Sequence, residues 1–159
     1  MRRMPARGRV LGIDVGERRV GLAVSDPTQT LARPLTTLTV NGGAAAVNGV
    51  MREIDRLGAE DDGLAVIAVG LPTQLDGSPN SQTTRVLAFI AALTGRTALP
   101  IVRVDERLSS HEAESRLALR ERDWRRRKAR LDAAAAAVIL QDYLDPEAAR
   151  SGRSSGSGG

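Results

Sequence analysis

Three acids lie far apart along the chain, yet each stands at the edge of an apolar run. They are Asp14 in Val10-Leu-Gly-Ile-Asp-Val-Gly16, Glu106 in Ile101-Val-Arg-Val-Asp-Glu-Arg107, and Asp132 before Ala133-Ala-Ala-Ala-Ala-Val-Ile-Leu140. A carboxylate at the end of a buried element is costly unless a cation compensates it. Several carboxylates converging on one point suit Mg²⁺ or Mn²⁺, hard ions that prefer oxygen ligands. A basic stretch precedes Asp132: Arg116 to Arg130 holds eight basic and two acidic residues, a local net of +6 in a chain of net charge +4. The rest of the chain therefore nets −2, so the positive charge forms a patch. Metal-binding acids beside a cationic patch point to chemistry on a phosphodiester.

Each acid also has a plainer reading. Asp14 in Gly-x-Asp-x-Gly could cap a turn. If strand alternation persists through Asp105 and Glu106, these two point to opposite faces. Glu106 is then the candidate ligand and Asp105 the reserve, with an exposed pair salt-bridged to Arg107 as the alternative. Asp132 is expected in the first turn of a helix, where the dipole alone favours an acid by a few tenths to about 1 kcal/mol. The run Ala133 to Ala137 carries small side chains that would let this helix press close to a sheet and bring Asp132 towards Asp14. Gly12 and Gly16 leave room for close approach of a ligand or a metal-bound phosphate beside Asp14.

Candidate nucleic-acid contacts are Arg107, Arg122, Trp124, Arg125, Arg126, Arg127, Lys128 and Arg130. The basic residues would track a phosphate backbone, and Trp124 could stack on a base or pack its own loop. Aromatic residues make up 2% of the chain, so shape and phosphate contacts should outweigh a broad stacking platform. Ser109, Ser110 and His111 are consecutive and cannot supply triad geometry, and no Gly-x-Ser-x-Gly elbow is present. The absence of cysteine excludes disulfides, thiolate zinc sites and cysteine nucleophiles, and one histidine cannot build a histidine-rich metal site. No apolar run approaches the roughly 20 residues of a membrane span. The basic start of the chain leads straight into a strand-like run, so a cytoplasmic protein is expected.

The elements that must position these residues follow from periodicity. Arg9–Val15 and Val20–Val24 read as a hairpin about a Gly-containing turn, and Leu35–Val40 as a third strand after a loop bracketed by Pro27 and Pro34. A helix is expected over 44–57, with Val47, Val50, Met51, Ile54 and Leu57 at helical spacing. Ala65–Val69 is a continuous apolar run, typical of a strand buried on both faces. A helix over 81–94, a strand over 101–104, a helix over 111–119 capped by Ser109 or Ser110, a basic connector and a last helix over 129–144 follow. Antiparallel strands first, then strand–helix–strand units, predict an α/β protein of ribonuclease H-like type: a mixed five-stranded sheet flanked by helices on both faces. The expected organisation is a basic tail over 1–8, one nuclease domain over 9–146 and a flexible Ser/Gly-rich tail over 147–159.

Taken together, Gly12-Ile-Asp-Val-Gly-Glu-Arg-Arg-Val-Gly-Leu-Ala-Val-Ser-Asp26, Val69-Gly-Leu-Pro-Thr-Gln-Leu-Asp-Gly-Ser78 with Gln82 and Arg85, Asp105-Glu-Arg-Leu-Ser109, and Leu131-Asp-Ala-Ala-Ala with Ile139-Leu-Gln141 resemble the YqgF/RuvX family. These are Holliday junction resolvase-like proteins also described as pre-16S ribosomal RNA nucleases. The resemblance covers about residues 9 to 145 and implies metal-binding, catalytic roles for Asp14, Glu106 and Asp132. The implied cofactor is Mg²⁺ or Mn²⁺, with two ions activating a water and stabilising the leaving oxygen. The implied substrate is the 5′ extension of precursor small-subunit ribosomal RNA. The partners expected are structured or single-stranded RNA, branched DNA as the alternative, and ribosomal precursor particles, with no membrane; a monomer or a homodimer fits. The rival readings are a structure-specific DNA junction endonuclease, a non-catalytic ribosome-assembly factor, and a sugar-kinase or actin-like ATPase. The last needs a second domain and phosphate loop, for which 159 residues leave no room.

Overall fold

A computed structural model describes residues 8–72, 81–105 and 124–145, the last segment with side chains from Asp132 onward. Its strands are β1 (Arg9–Val15), β2 (Arg19–Ser25), β3 (Ala32–Thr39), β4 (Leu64–Leu71) and β5 (Ile101–Asp105). Its helices are α1 (Gly43–Gly58), α2 (Ser81–Thr94) and α3 (Trp124–Leu144). The strands form one sheet in the order β3-β2-β1-β4-β5. β1 to β3 run antiparallel, while β4 is parallel to β1 and β5 to β4. This is the mixed five-stranded, ribonuclease H-like sheet expected from the sequence.

The two faces of the central strand are separated by parity. Leu11, Ile13 and Val15 join Val20, Leu22, Ile67 and Val69 under α1 and α2, whose Val50, Ile54, Leu57, Phe89 and Leu93 complete that core. Val10, with Ala23, Val66 and Ala68, faces α3 through Ala136 and Leu140. β4 is buried along six consecutive residues because helices cover it on both sides. The core of α1 follows the helical spacing read from the sequence, with Val47, Val50, Ile54 and Leu57 buried and Met51 partly so.

Arg9 is buried at the start of β1, 6% exposed. Its guanidinium donates to the Leu57 carbonyl at 3.2 Å, the Gly63 carbonyl at 3.1 Å and Glu60 at 2.8 Å. Those carbonyls belong to the last turn of α1 and the loop beyond it, where helix carbonyls lack intrahelical donors. One side chain thus ties the central strand to the end of α1.

Three boundaries differ from the sequence expectation. β3 begins at Ala32, so Pro34 lies inside the strand instead of closing a loop. Leu22 pairs with Thr36 and Ala23 with Pro34, so a bulge intervenes at this point on an edge strand. Those are the two settings in which a strand accepts a residue without an N–H. β4 runs on through Gly70 and Leu71. α3 begins at Trp124, not near residue 129, so Arg125, Arg126, Arg127 and Lys128 are part of the helix and not of a connector. The segment contains neither Gly nor Pro, and Arg, Lys and Ala are good helix formers. The expected helix over 111–119, its Ser109 or Ser110 cap, and most of both tails lie outside the described residues. Among the described residues, no helix is long and apolar enough to cross a membrane.

Candidate metal and nucleic-acid site

Asp14 is the penultimate residue of the central strand and is half-buried. Its parity is that of Val10 and Gly12, which puts it on the α3 face. Across the hairpin it pairs with Gly21, and directly opposite residues share a face. Gly21 meets α3 at Asp132: a Cβ added to Gly21 would come within 1.9 Å of the Asp132 carbonyl oxygen and 2.3 Å of its carbonyl carbon. The backbone of α3 therefore rests on the backbone of β2 at the residue that pairs with Asp14. Asp14 and Asp132 are brought to the same face, at the same end of the sheet.

The seating of α3 follows from matching repeats. Leu140, Ala136 and Asp132 recur every four residues, a step of about 6 Å on a helix, and alternate residues on a strand are about 6.6 Å apart. A Cβ on Gly12 would approach Leu140 Cβ at 2.7 Å and the Ala136 carbonyl at 3.1 Å. The helix thus runs opposite to β1, with Leu140 and Ala136 over Gly12 and Asp132 near the carboxyl end. Eight residues of α3 precede Asp132, so its amino-terminal part continues about 12 Å beyond that point. That part carries Trp124, Arg125, Arg126, Arg127, Lys128 and Arg130. The basic segment consequently overhangs the end of the sheet where Asp14 sits.

Two sequence readings are corrected by this packing. The space beside Gly12 receives α3, not a ligand, because Ala136 and Leu140 fill it. Gly16 serves the hairpin turn: its N–H donates to the Arg19 carbonyl at 2.8 Å, and a Cβ there would stand 2.8 Å from that oxygen. Asp132 is the ninth residue of α3, and the first turn of that helix holds no acid. The dipole falls off within the first turn, so it does not account for an acid here.

Asp132 is half-buried; it takes part in interactions within the protein, but its Oδ2 is shielded from solvent and accepts no hydrogen bond. At the other end of α3, Gln141 fixes the helix to the loop between β2 and β3. Its Nε2 donates to the Thr30 carbonyl, and its Oε1 accepts from the Ala32 N–H, both at 2.9 Å. The loop is shaped by Asp26, whose carboxylate accepts from the N–H groups of Thr30 and Leu31 at 2.8 Å and from the Thr28 hydroxyl. The Leu31 and Thr28 hydrogen bonds lead in holding the Asp26 carboxyl well below the usual carboxylate range. Ser25 is buried, and its hydroxyl accepts from the Val10 N–H at 2.8 Å. Asp26 and Gln141 thus set the register in which α3 delivers Asp132, a role the sequence reading did not give them.

Glu106, Arg107 and Arg122 lie outside the described residues. Asp105 ends β5, is exposed, and pairs with Leu71, whose side chain packs on the α1 and α2 side. Val102 and Val104 have the other parity and pack against the α3 cluster. Among the described residues no group of three potential metal-ligating side chains is present, and the two carboxylates that share the α3 face at this end are Asp14 and Asp132. The residue that sequence reasoning missed is Gly21. Counting the hairpin register from its turn would have placed it opposite Asp14.

The fold class is that of a ribonuclease H-like sheet, with Asp14 at the end of its central strand and the backbone of Asp132 seated on Gly21, the residue paired with Asp14. A family model described as "RuvX: Holliday junction resolvase" matches residues 8–146. A protein of Roseiflexus sp. (strain RS-1) named "Putative pre-16S rRNA nuclease" is 39% identical over 140 residues, covering 88% of this chain and 96% of that protein. One of the same name from Anaeromyxobacter dehalogenans (strain 2CP-C) is 40% identical over 143 residues, covering 88% and 98%. Among solved structures, Thermus thermophilus RuvC is similar at 18% identity and a TM-score of 0.49, covering 91% of this chain and 96% of that one. The chain belongs to the RuvX family.

Proposed function

We propose that this protein is a divalent-metal-dependent nuclease that hydrolyses phosphodiester bonds at the 5′ end of precursor 16S ribosomal RNA, in the cytoplasm. Membership of the RuvX family supports nuclease chemistry, and the names of its relatives support the RNA substrate. The observation that supports the reading for this chain is that Gly21, paired with Asp14 at the end of the central strand, packs against the backbone of Asp132. The donor set fits a hard cation: two carboxylates on one face, one of them with a solvent-shielded oxygen whose desolvation a cation would offset. Asp14, Asp132 and Glu106 would hold Mg²⁺ or Mn²⁺, two ions being the number the reaction class suggests. Glu106 is preferred to Asp105 because Asp105 has the parity opposite to Val102 and Val104, which pack on the α3 side.

When bound, such ions lower the pKa of a coordinated water and neutralise charge on the leaving oxygen. The chain itself supplies position. The backbones that carry Asp14 and Asp132 are held in register because β1 and β2 are hydrogen-bonded and α3 is seated on both. The arginines of the overhanging turns of α3, with Arg107 and Arg122, would neutralise phosphates of the substrate strand and keep it across the site. Side chains of this kind contribute affinity and register, not proton transfer.

The test is single-turnover cleavage, in Mg²⁺ and in Mn²⁺, of an RNA carrying the 5′ extension and of a four-way DNA junction. Cleavage of the RNA that disappears in Asp14→Asn supports the proposal. Cleavage of the junction alone would assign the site to DNA, the reading favoured by the family description. Product formation by neither, with intact binding to ribosomal precursor particles, would make the protein an assembly factor.

A further inference from the structure

On the face of the sheet opposite α3, a cavity of about 670 Å³ lies between the first turns of α1 and one side of α2. Val15, Gly16 and Glu17 are part of its lining, so it begins one residue after Asp14, on the other side of the same strand end. Its volume falls in the range of sites that enclose a small organic ligand, roughly 300–1,000 Å³. The lining is largely apolar, with Val47 and Phe89 as its floor.

Two cations interrupt that apolar surface. Arg85, on α2, is half-buried and forms no ion pair among the described residues. Arg96 donates to Asn48 Oδ1 at 3.0 Å, a neutral acceptor, and forms no ion pair among the described residues. Among the described residues Glu17 is the acidic residue of the lining, and it is exposed. A purely apolar occupant would desolvate Arg85 without a counter-charge, which is costly. A bare inorganic anion would leave the apolar floor in contact with water. The occupant must carry an apolar ring and an anionic group on one small body.

We propose that this recess takes one nucleotide of the strand whose phosphodiester lies at Asp14, with its base on the floor and its phosphate against Arg85; the proposal rests on the nuclease reading above. A single recess of this kind suits a chain with 2% aromatic residues, which cannot offer a broad stacking surface. It also gives Arg85 a role that the packing of α2 does not require.

The test uses the full chain carrying Asp14→Asn and a fluorescent single-stranded RNA of about 12 nucleotides, scanned with one abasic position at a time and read by anisotropy in Mg²⁺. One position should weaken binding about tenfold when its base is removed. That dependence should vanish in Ala88→Trp, which fills the recess from an exposed position on α2. Arg85→Gln should weaken every RNA and make the log K against log salt slope shallower by about 0.7. Thermal melts establish that both variants are folded. A flat abasic scan, or wild-type affinity in both variants, overturns the recess while leaving the nuclease reading standing. Saturable binding of free UMP or AMP in calorimetry that Ala88→Trp abolishes, with no effect of abasic position on RNA binding, overturns it in favour of a free nucleotide. RNA bound by neither the parent nor the variants overturns the nucleic-acid reading itself.

Discussion

Gly21→Ala should damage both stability and cleavage although it adds one methyl group. The added Cβ would sit 1.9 Å from the Asp132 carbonyl oxygen, and real Cβ contacts essentially never fall below 3.0 Å. Relief therefore requires a displacement of at least about 1.1 Å between β2 and α3. No rotamer change can supply it, because the atoms met are backbone on both sides. Overpacking of a well-filled interior typically costs about 1–3 kcal/mol, and a backbone clash belongs at the upper end. For a chain of this length about 3 kcal/mol corresponds to a fall in Tm of roughly 6–12 °C. The same shift carries Asp132 away from Asp14, and a 1 Å misplacement can cost about 100-fold in rate. Gly12→Ala serves as the comparison: its Cβ meets the Leu140 side chain at 2.7 Å, which is nearer to yielding, and the Ala136 carbonyl at 3.1 Å. It should cost about 1–2 kcal/mol and under tenfold in rate. The assays are thermal unfolding and single-turnover cleavage in Mn²⁺. A Gly21→Ala protein with wild-type Tm and a rate within about threefold of wild type would refute the seating of Asp132 against Gly21.

Asp14→Asn should abolish single-turnover cleavage in Mn²⁺ while leaving Tm and RNA affinity near wild type, since it keeps size and removes the ligand charge; activity within a few-fold of wild type would exclude Asp14 from the chemistry. Replacing Arg125, Arg126 and Arg127 by Ala should weaken binding to all nucleic acids and reduce the salt slope by roughly 2–3, about 0.7 per phosphate contact on single strands and 0.9 on duplex DNA. Unchanged slope and affinity would make these turns of α3 a solvated helix end. Glu60 is held below its usual value of 4.5, chiefly by the hydrogen bond from Arg9. A lowered folded-state pKa stabilises the native state above pH 4.5, and that contribution is lost as the pH falls through the lowered value. Glu60→Gln should therefore lower Tm at neutral pH and flatten its decline below pH 4.5; an acid limb identical to wild type would contradict the Arg9–Glu60 link.

The sequence by itself determined the order of elements, because the signals involved are local. The hairpin and the spacing of Val47, Val50, Ile54 and Leu57 follow from short turns and a period of about 3.6 residues, and β4 from an unbroken apolar run. The position of Asp14 at a strand end was legible for the same reason. Boundaries failed where a local rule has a tertiary exception. Pro34 reads as a strand breaker until β3 is known to be an edge strand with a bulge. The start of α3 is hidden because Arg125 to Lys128 show no apolar period, although their propensity is helical. The alanines of α3 pointed to close approach, yet the contact that sets it is made by Gly12 and Gly21 on the sheet. Only the tertiary structure decided that α3 rests on Gly21, and that the backbone of Asp132 therefore lies against the residue paired with Asp14, 118 positions earlier than Asp132. Such a contact depends on strand register and on the closeness of two backbones, and neither is written in the local pattern of either segment.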